Sequence, residues 1–95
     1  MKKVHLQTVV VNIKKGIEYD VYIGRPGKWG NPFRLTDYGN DRQLIVKKFY
    51  EWFHAPKQWK LRDDAKKELS GKRLGCYCVP DACHGHVLAE YVNGE

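Results

Sequence analysis

Long apolar runs are missing from this 95-residue chain. No aliphatic run exceeds three residues, as in Val9-Val10-Val11, against the roughly 20 that a membrane span requires. Nothing at its start resembles a secretion signal either, so the expectation is a protein with no membrane partner. Cysteine is scarce. There are three, an odd number, and all lie between Cys76 and Cys83. A secreted scaffold held by disulfides has an even set spread along the chain, so the sequence reads as that of a reduced, cytoplasmic protein. The glycine spacings of the P-loop and of the dinucleotide fingerprint are absent, and so is any Cys-x-x-Cys knuckle. There is no internal repeat, linker or low-complexity segment.

What is present begins with charge. The formal net charge is +6 and the pI about 9.3, with 29% charged, 42% hydrophobic and 13% aromatic residues. A basic balance suits nucleic acid, free nucleotides, other phosphorylated ligands or an acidic partner, without choosing among them. The length allows one domain, residues 1–95, and no second core.

Residues 4–13 are rich in β-branched side chains and read as a strand, closed by the turn signal Lys14-Lys15-Gly16. Residues 20–23 read as a second strand, and the turn between the two predicts a hairpin. Asn40 is placed as the N-cap of a helix over 42–54, whose stripe of Ile45, Phe49, Trp52 and Phe53 faces the core. Pro56 stops that helix. Trp59 and Leu61 stand as isolated apolar anchors in a basic stretch, and a short helix follows over 63–69. Residues 72–77 read as a third strand. The last helix starts near His84 or Gly85 and carries Val87, Leu88, Tyr91 and Val92 on its apolar side. The order β-β-α-α-β-α predicts an α/β fold, a small mixed sheet with helices packed on it.

Two stretches interrupt this periodicity. The first runs from Gly24 through Arg25, Pro26, Gly27, Lys28, Trp29, Gly30, Asn31 and Pro32 to Phe33. Glycine and proline together forbid a regular element, so this is a shaped loop mounted on a strand end. Arg25 and Lys28 suit phosphate, one as a bidentate fork and one as a point charge. Gly27 and Gly30 let backbone N–H groups approach an anion. Trp29 and Phe33 offer aromatic faces, and Asn31 can read a base edge or a ribose hydroxyl. The same loop also reads as a packing plug, with Arg25 bracing carbonyls or Asp81.

The second stretch runs from Gly75 to His86 and holds Cys76, Cys78, Cys83, His84 and His86. Thiols and imidazoles are the ligands zinc prefers, which makes Cys76, Cys78, Cys83 and His84 candidate metal ligands. Cys76 and Cys78 on an extended strand stand roughly 6.5–7 Å apart, so a shared metal requires a bend. Cys83, His84 and His86 fall at a helix start, where the dipole favours a thiolate and attracts anions. That makes Cys83 and His84 candidates for a nucleophile and its base, and Cys78 and His86 candidate ligand contacts. Structural roles for the same cysteines remain open.

Residues 22–26 (Tyr-Ile-Gly-Arg-Pro), 28–33 (Lys-Trp-Gly-Asn-Pro-Phe) and 74–78 (Leu-Gly-Cys-Tyr-Cys), together with Pro80, Cys83-His84-Gly85, Val87-Leu88 and Val10-Val11-Asn12, carry a family resemblance. The chain resembles the small phage and bacterial family catalogued as domain of unknown function 4326. The resemblance implies a common site where the two stretches meet, in a phage or mobile-element setting. The family pattern has an acidic residue after Cys-His-Gly, where this chain has His86.

Joined, the two stretches suggest a pocket for a nucleotide-like, phosphorylated small molecule. If turnover occurs there, it belongs to a nucleotide- or nucleoside-processing hydrolase or transferase. A shared pocket requires the strand at 20–23 to lie parallel to the strand at 72–77. Two alternatives stay open. One is a nucleic-acid-binding surface of Lys47, Lys48, Lys57, Lys60, Arg62, Lys66, Lys67, Lys72 and Arg73. The other is a small domain stabilised by zinc. A homo-oligomer that completes the pocket is also open.

Overall fold

A computed structural model describes residues 7–79 and 81–94. The first residues of the expected strand at 4–13 lie outside that range, as does Pro80. The chain builds strands β1 (Val9–Asn12), β2 (Val21–Tyr22) and β3 (Arg73–Cys76), and helices α1 (Arg42–Phe53), α2 (Trp59–Glu68) and α3 (Gly85–Gly94). The α/β class and the order of the elements are as expected.

The expected hairpin is not. The sheet order is β1-β3-β2, and both outer strands pair with β3 in parallel, Val11 and Tyr22 flanking Gly75. The turn signal itself is real. Asn12 caps a 3-10 turn over Ile13–Lys15, and Gly16 closes it at φ 73°. That turn feeds a crossover rather than a reversal. Residues 13–20 cross the face of β3, a shorter path than the dozen or so residues parallel neighbours usually need. Gly75 makes the path available. A Cβ there would lie 2.7 Å from Tyr19 Cγ and 2.9 Å from Ile13 Cδ1, so any larger residue would push the crossover off the strand. Asp20 then anchors the end of the crossover. Its carboxylate accepts from the Arg73 backbone N–H at 2.8 Å and from the Arg73 guanidinium at 3.1 Å.

In α1, Phe49 and Phe53 are fully buried while Ile45 and Trp52 are half-buried, as the stripe predicts. Burial of each phenylalanine stabilises the fold by roughly 1.5–3 kcal/mol. The cap falls one residue later than expected. Asp41 accepts from the Leu44 N–H at 3.0 Å, and Asn40 takes φ 60°. The end of α1 is closed by a distant residue, Arg62, which donates to the carbonyls of Phe53 and Ala55 at 2.7 and 2.8 Å.

Helix α2 starts at Trp59 and not near residue 63, so the stretch read as irregular is helical. Pro56 sits at the first position of a 3-10 turn that leads into it, and Lys60–Asp64 and Asp63–Lys67 pairs support its exposed side. Trp59 is 62% exposed and anchors nothing. Helix α3 lies directly on the sheet. A Cβ on Gly85 would stand 2.6 Å from Ile23 Cδ1, so glycine sets the closeness of that packing.

Candidate functional site

The glycine-proline loop leaves β2, the cysteine stretch leaves β3, and the two strands are parallel neighbours. Both stretches therefore emerge from the carboxyl end of the sheet, and they meet there. A cavity of about 400 Å³ opens between them. From the loop side it is lined by Tyr22, Gly24, Arg25, Asn31 and Phe33. Cys76, Tyr77, Cys78, Cys83 and His84 line the other side, and α1 contributes Arg42, Ile45 and Val46.

His84 ties the two sides together. It is buried at the start of α3, and its Nε2 lies 2.8 Å from the Ile23 carbonyl and 2.9 Å from the Trp29 carbonyl. Two acceptors at one nitrogen require that nitrogen to carry the proton. Burial lowers the His84 pKa, so the ring is held neutral. Its bare Nδ1 faces Cys83 Sγ at 3.9 Å. The side chain expected as a general base thus bolts the loop to the helix.

The loop residues divide. Arg25 donates to the Asn31 carbonyl at 2.7 Å, which braces the loop while its guanidinium stays exposed at the cavity. Asn31 is buried, accepts from the Phe33 N–H at 2.9 Å and donates to the Ile45 carbonyl at 3.3 Å. Phe33 packs edge-on against Trp52 and Tyr38 at the cavity wall. Gly27, Lys28, Trp29 and Gly30 lie outside the lining. Trp29 is buried as a plug, with 5% exposure. Lys28 turns away to pair with Asp64 at 3.2 Å and Glu68 at 2.9 Å of α2, and sits over the Trp29 ring. His86 is exposed and is not in the lining either.

Two of the three thiols are in contact. Cys83 Sγ lies 3.3 Å from Cys76 Sγ and accepts from the Gly85 N–H at 3.3 Å. The interplay of the Cys78 and Cys83 thiols, with burial, pushes the pKa of Cys83 up, and Cys83 is the main influence that pulls that of Cys78 down from 9.0 to about 6. The Arg42 guanidinium adds to the lowering at Cys78. The half-buried Cys78 is therefore the thiolate of the set, and Cys83, the expected nucleophile, is held as a thiol.

As a metal centre the stretch does not fit. Among the described residues no three Cys, His, Asp or Glu side chains are grouped to hold an ion. The Nε2 of His84 is committed to two carbonyls. The basic surface is also less free than its sequence suggests. Lys60, Lys67 and Arg73 pair with acids, Arg62 caps α1, and Lys48 and Lys66 lie over Tyr38 and Tyr91. No described helix is long and apolar enough to cross a membrane.

Sequence reasoning missed Arg42, Tyr22 and Tyr77. Arg42 has the form of an ordinary first-turn surface residue. Tyr22 ends β2 and Tyr77 directly follows β3, 6.2 Å apart between ring centroids, and both line the cavity. The available signal was their place, Tyr22 just before the first stretch and Tyr77 within the second.

The fold and site define a small α/β domain with a thiol-lined pocket at the carboxyl ends of parallel strands. Over residues 9–94 the chain matches the family model described as domain of unknown function (DUF4326), and it belongs to that family. It is 34% identical over 84 residues to an uncharacterized 12.4 kDa protein in the nrdA-td intergenic region of Enterobacteria phage T4, a match covering 88% of this chain and 76% of that protein. It is 30% identical over 89 residues to an uncharacterized protein of Acanthamoeba polyphaga mimivirus, covering 75% of this chain and 65% of that one. No solved structure matches it significantly.

Proposed function

We propose that the pocket binds a nucleotide or a nucleotide-derived phosphorylated small molecule, which the protein sequesters or processes. The observation that carries this reading is the convergence of two guanidinium groups, Arg25 and Arg42, with three aromatic rings, Tyr22, Phe33 and Tyr77, around one cavity of about 400 Å³. That volume suits a small ligand. Guanidinium forks match phosphate oxygens, and the rings offer faces to a base. The position agrees with the general placement of ligands outside the carboxyl ends of strands in open α/β sheets. Similarity to a phage protein and a giant-virus protein fits a role in viral or mobile-element biology.

The test is calorimetry and thermal shift against mono-, di- and triphosphate nucleosides, cyclic nucleotides and ADP-ribose derivatives. At least one compound is expected to bind, and Arg42→Ala is expected to weaken it roughly tenfold or more, as loss of one charged contact does. A panel to which the unaltered protein shows no response overturns the reading.

A further inference from the structure

Lys28, Lys60, Lys67 and Arg73 each have an acid partner. Arg25 and Arg42 differ: among the described residues no ion pair joins either guanidinium to a carboxylate. Both line the cavity, and no Asp or Glu stands with them in its described lining. The imidazole in that lining, His84, adds no charge, because its Nε2 faces two carbonyls and burial keeps the ring neutral.

A short relay fixes the walls that carry the two arginines. Arg25 donates to the Asn31 carbonyl at 2.7 Å, and Asn31 Nδ2 donates to the Ile45 carbonyl at 3.3 Å. Ile45 lies one turn beyond Arg42 on α1, and both face the cavity. The bond to Asn31 uses one of the five N–H groups of the Arg25 fork and leaves the others for an anion.

We infer that the cavity takes a nucleoside monophosphate as its metal-free dianion, with the phosphate shared by Arg25 and Arg42. This rests on the nucleotide reading above and narrows it to one class of substrate. Charge decides the number of phosphates. A phosphate monoester carries nearly two negative charges at neutral pH, since its second pKa is about 6. Two guanidinium groups balance that charge, and each can offer paired N–H groups to the phosphate oxygens. The phosphate meets Cys78 at Arg42, so in the complex the like charge of the dianion returns Cys78 toward its thiol form. Second and third phosphates add charge for which the described lining has no further cation. In solution they also bring Mg²⁺, which is usually held by one or two carboxylates together with the phosphates. The described lining offers no carboxylate to receive it. The rest of the wall agrees. Leu35, Ile45 and Val46 with the Phe33 ring suit a base and not further charge. The volume of about 400 Å³ is near the lower end for ligand pockets and suits one nucleotide unit.

The experiment is calorimetric titration of the full chain with nucleoside monophosphates, the matching triphosphates and the unphosphorylated nucleosides, each in EDTA and again in excess Mg²⁺. At least one monophosphate is expected to bind with a Kd that agrees within about twofold between the two conditions. It is expected to bind roughly tenfold or more tightly than its nucleoside and its Mg²⁺-bound triphosphate. Arg25→Ala and Arg42→Ala, both at exposed positions, are each expected to weaken the monophosphate by about tenfold and to leave binding of the nucleoside unchanged. The bound monophosphate is also expected to slow alkylation of Cys78 by iodoacetamide, because Cys78 lines the same cavity. Unchanged alkylation at saturating ligand overturns the inference. A triphosphate that binds more tightly than its monophosphate, or a monophosphate that binds only with Mg²⁺, overturns it and leaves the nucleotide pocket standing. A panel in which no nucleotide binds overturns both.

Discussion

At the level of single residues, the environment of a side chain decides its chemistry more than its type does. Cys78 and Cys83 are five positions apart and opposite in character. Cys83 is buried and donates to Cys76 at 3.3 Å, and the neighbouring Cys78 thiol and burial raise its pKa, while Cys83 and then Arg42 lower that of Cys78. The groups facing Cys78 are Cys83 and Arg42, which favour its thiolate, and Asp81, which opposes it together with burial. Since the thiolate is the nucleophile, alkylation of Cys78 by iodoacetamide is expected to rise through a midpoint near pH 6, well below the ordinary 9.0. Arg42→Ala is expected to move that midpoint upward. Rates followed by peptide mapping check both, and an unshifted midpoint in Arg42→Ala contradicts the role given to the guanidinium. Asp20 gives a second pH signature. Its hydrogen bonds to the Arg73 guanidinium and backbone lower its pKa from 3.8 to about 2. A lowered acid pKa contributes stability that is complete above the unfolded value and is lost as pH falls through the folded one. Asp20→Asn is therefore expected to lose thermal stability at neutral pH and to show a flatter decline between about pH 4 and 2, read from melting midpoints across that range.

Among the elements, His84 shows how one side chain joins two segments that the chain order keeps far apart. It closes onto the carbonyls of Ile23 and Trp29, which bracket the first half of the loop. The loop has its own turns there, Gly27 N–H to the Gly24 carbonyl at 3.2 Å and, crossing the far end of that bracket, Gly30 N–H to the Gly27 carbonyl at 3.0 Å. Removal of the ring leaves two carbonyls without a donor and a void beside Phe49. His84→Ala is expected to cost about 2–4 kcal/mol in urea unfolding. Faster hydrogen exchange is expected at Gly27 and Gly30, while β3 stays protected at its central residues. Exchange that accelerates uniformly would mean that the bolt is global rather than local. The sequence made much of this arrangement legible. Interrupted periodicity marked both irregular stretches, and the need for parallel strands followed from asking them to share a pocket. The hairpin expectation went astray because a turn signal states that the chain bends without stating where it goes. The destination depends on Gly75 leaving room for Ile13 and Tyr19. Lys28 was placed at the pocket because it lies in the loop, but its acids are on α2, at Asp64 and Glu68. Spacing carries no trace of a pair so far apart, nor of Arg42 reaching the cavity from a helix.

Taken as a whole, the molecule is organised by the two ends of β3. The pocket occupies the carboxyl end of the sheet, and a small polar latch occupies the amino end. Thr8, just before β1, is 2% exposed. Its hydroxyl donates to the Leu69 carbonyl at 2.7 Å and accepts from the Gly71 N–H at 2.9 Å. Asn93, at the end of α3, pairs with both backbone groups of Thr8 at 2.8 Å. The latch thus joins the start of β1, the turn between α2 and β3, and the last turn of α3. In a sheet of three short strands, such a closure holds the outer elements on the central one. Thr8→Val keeps the shape and the backbone pairing with Asn93, and removes only the hydroxyl, which takes the acceptor from the half-buried Gly71 N–H and leaves the Leu69 carbonyl with the Lys72 N–H alone. The expected cost is about 1–3 kcal/mol. For a domain of this size each kcal/mol lowers the melting midpoint by roughly 4–8 °C. Because the latch and the pocket lie at opposite ends of β3 and share no partner, the two should behave independently. Thr8→Val is expected to melt earlier and still to show the same ligand-induced shift as the unaltered protein. His84→Ala, in contrast, is expected to lose stability and ligand response together. If Thr8→Val also loses the ligand response, the sheet transmits strain from one end to the other, and the site cannot be treated as a local structure mounted on a stable frame.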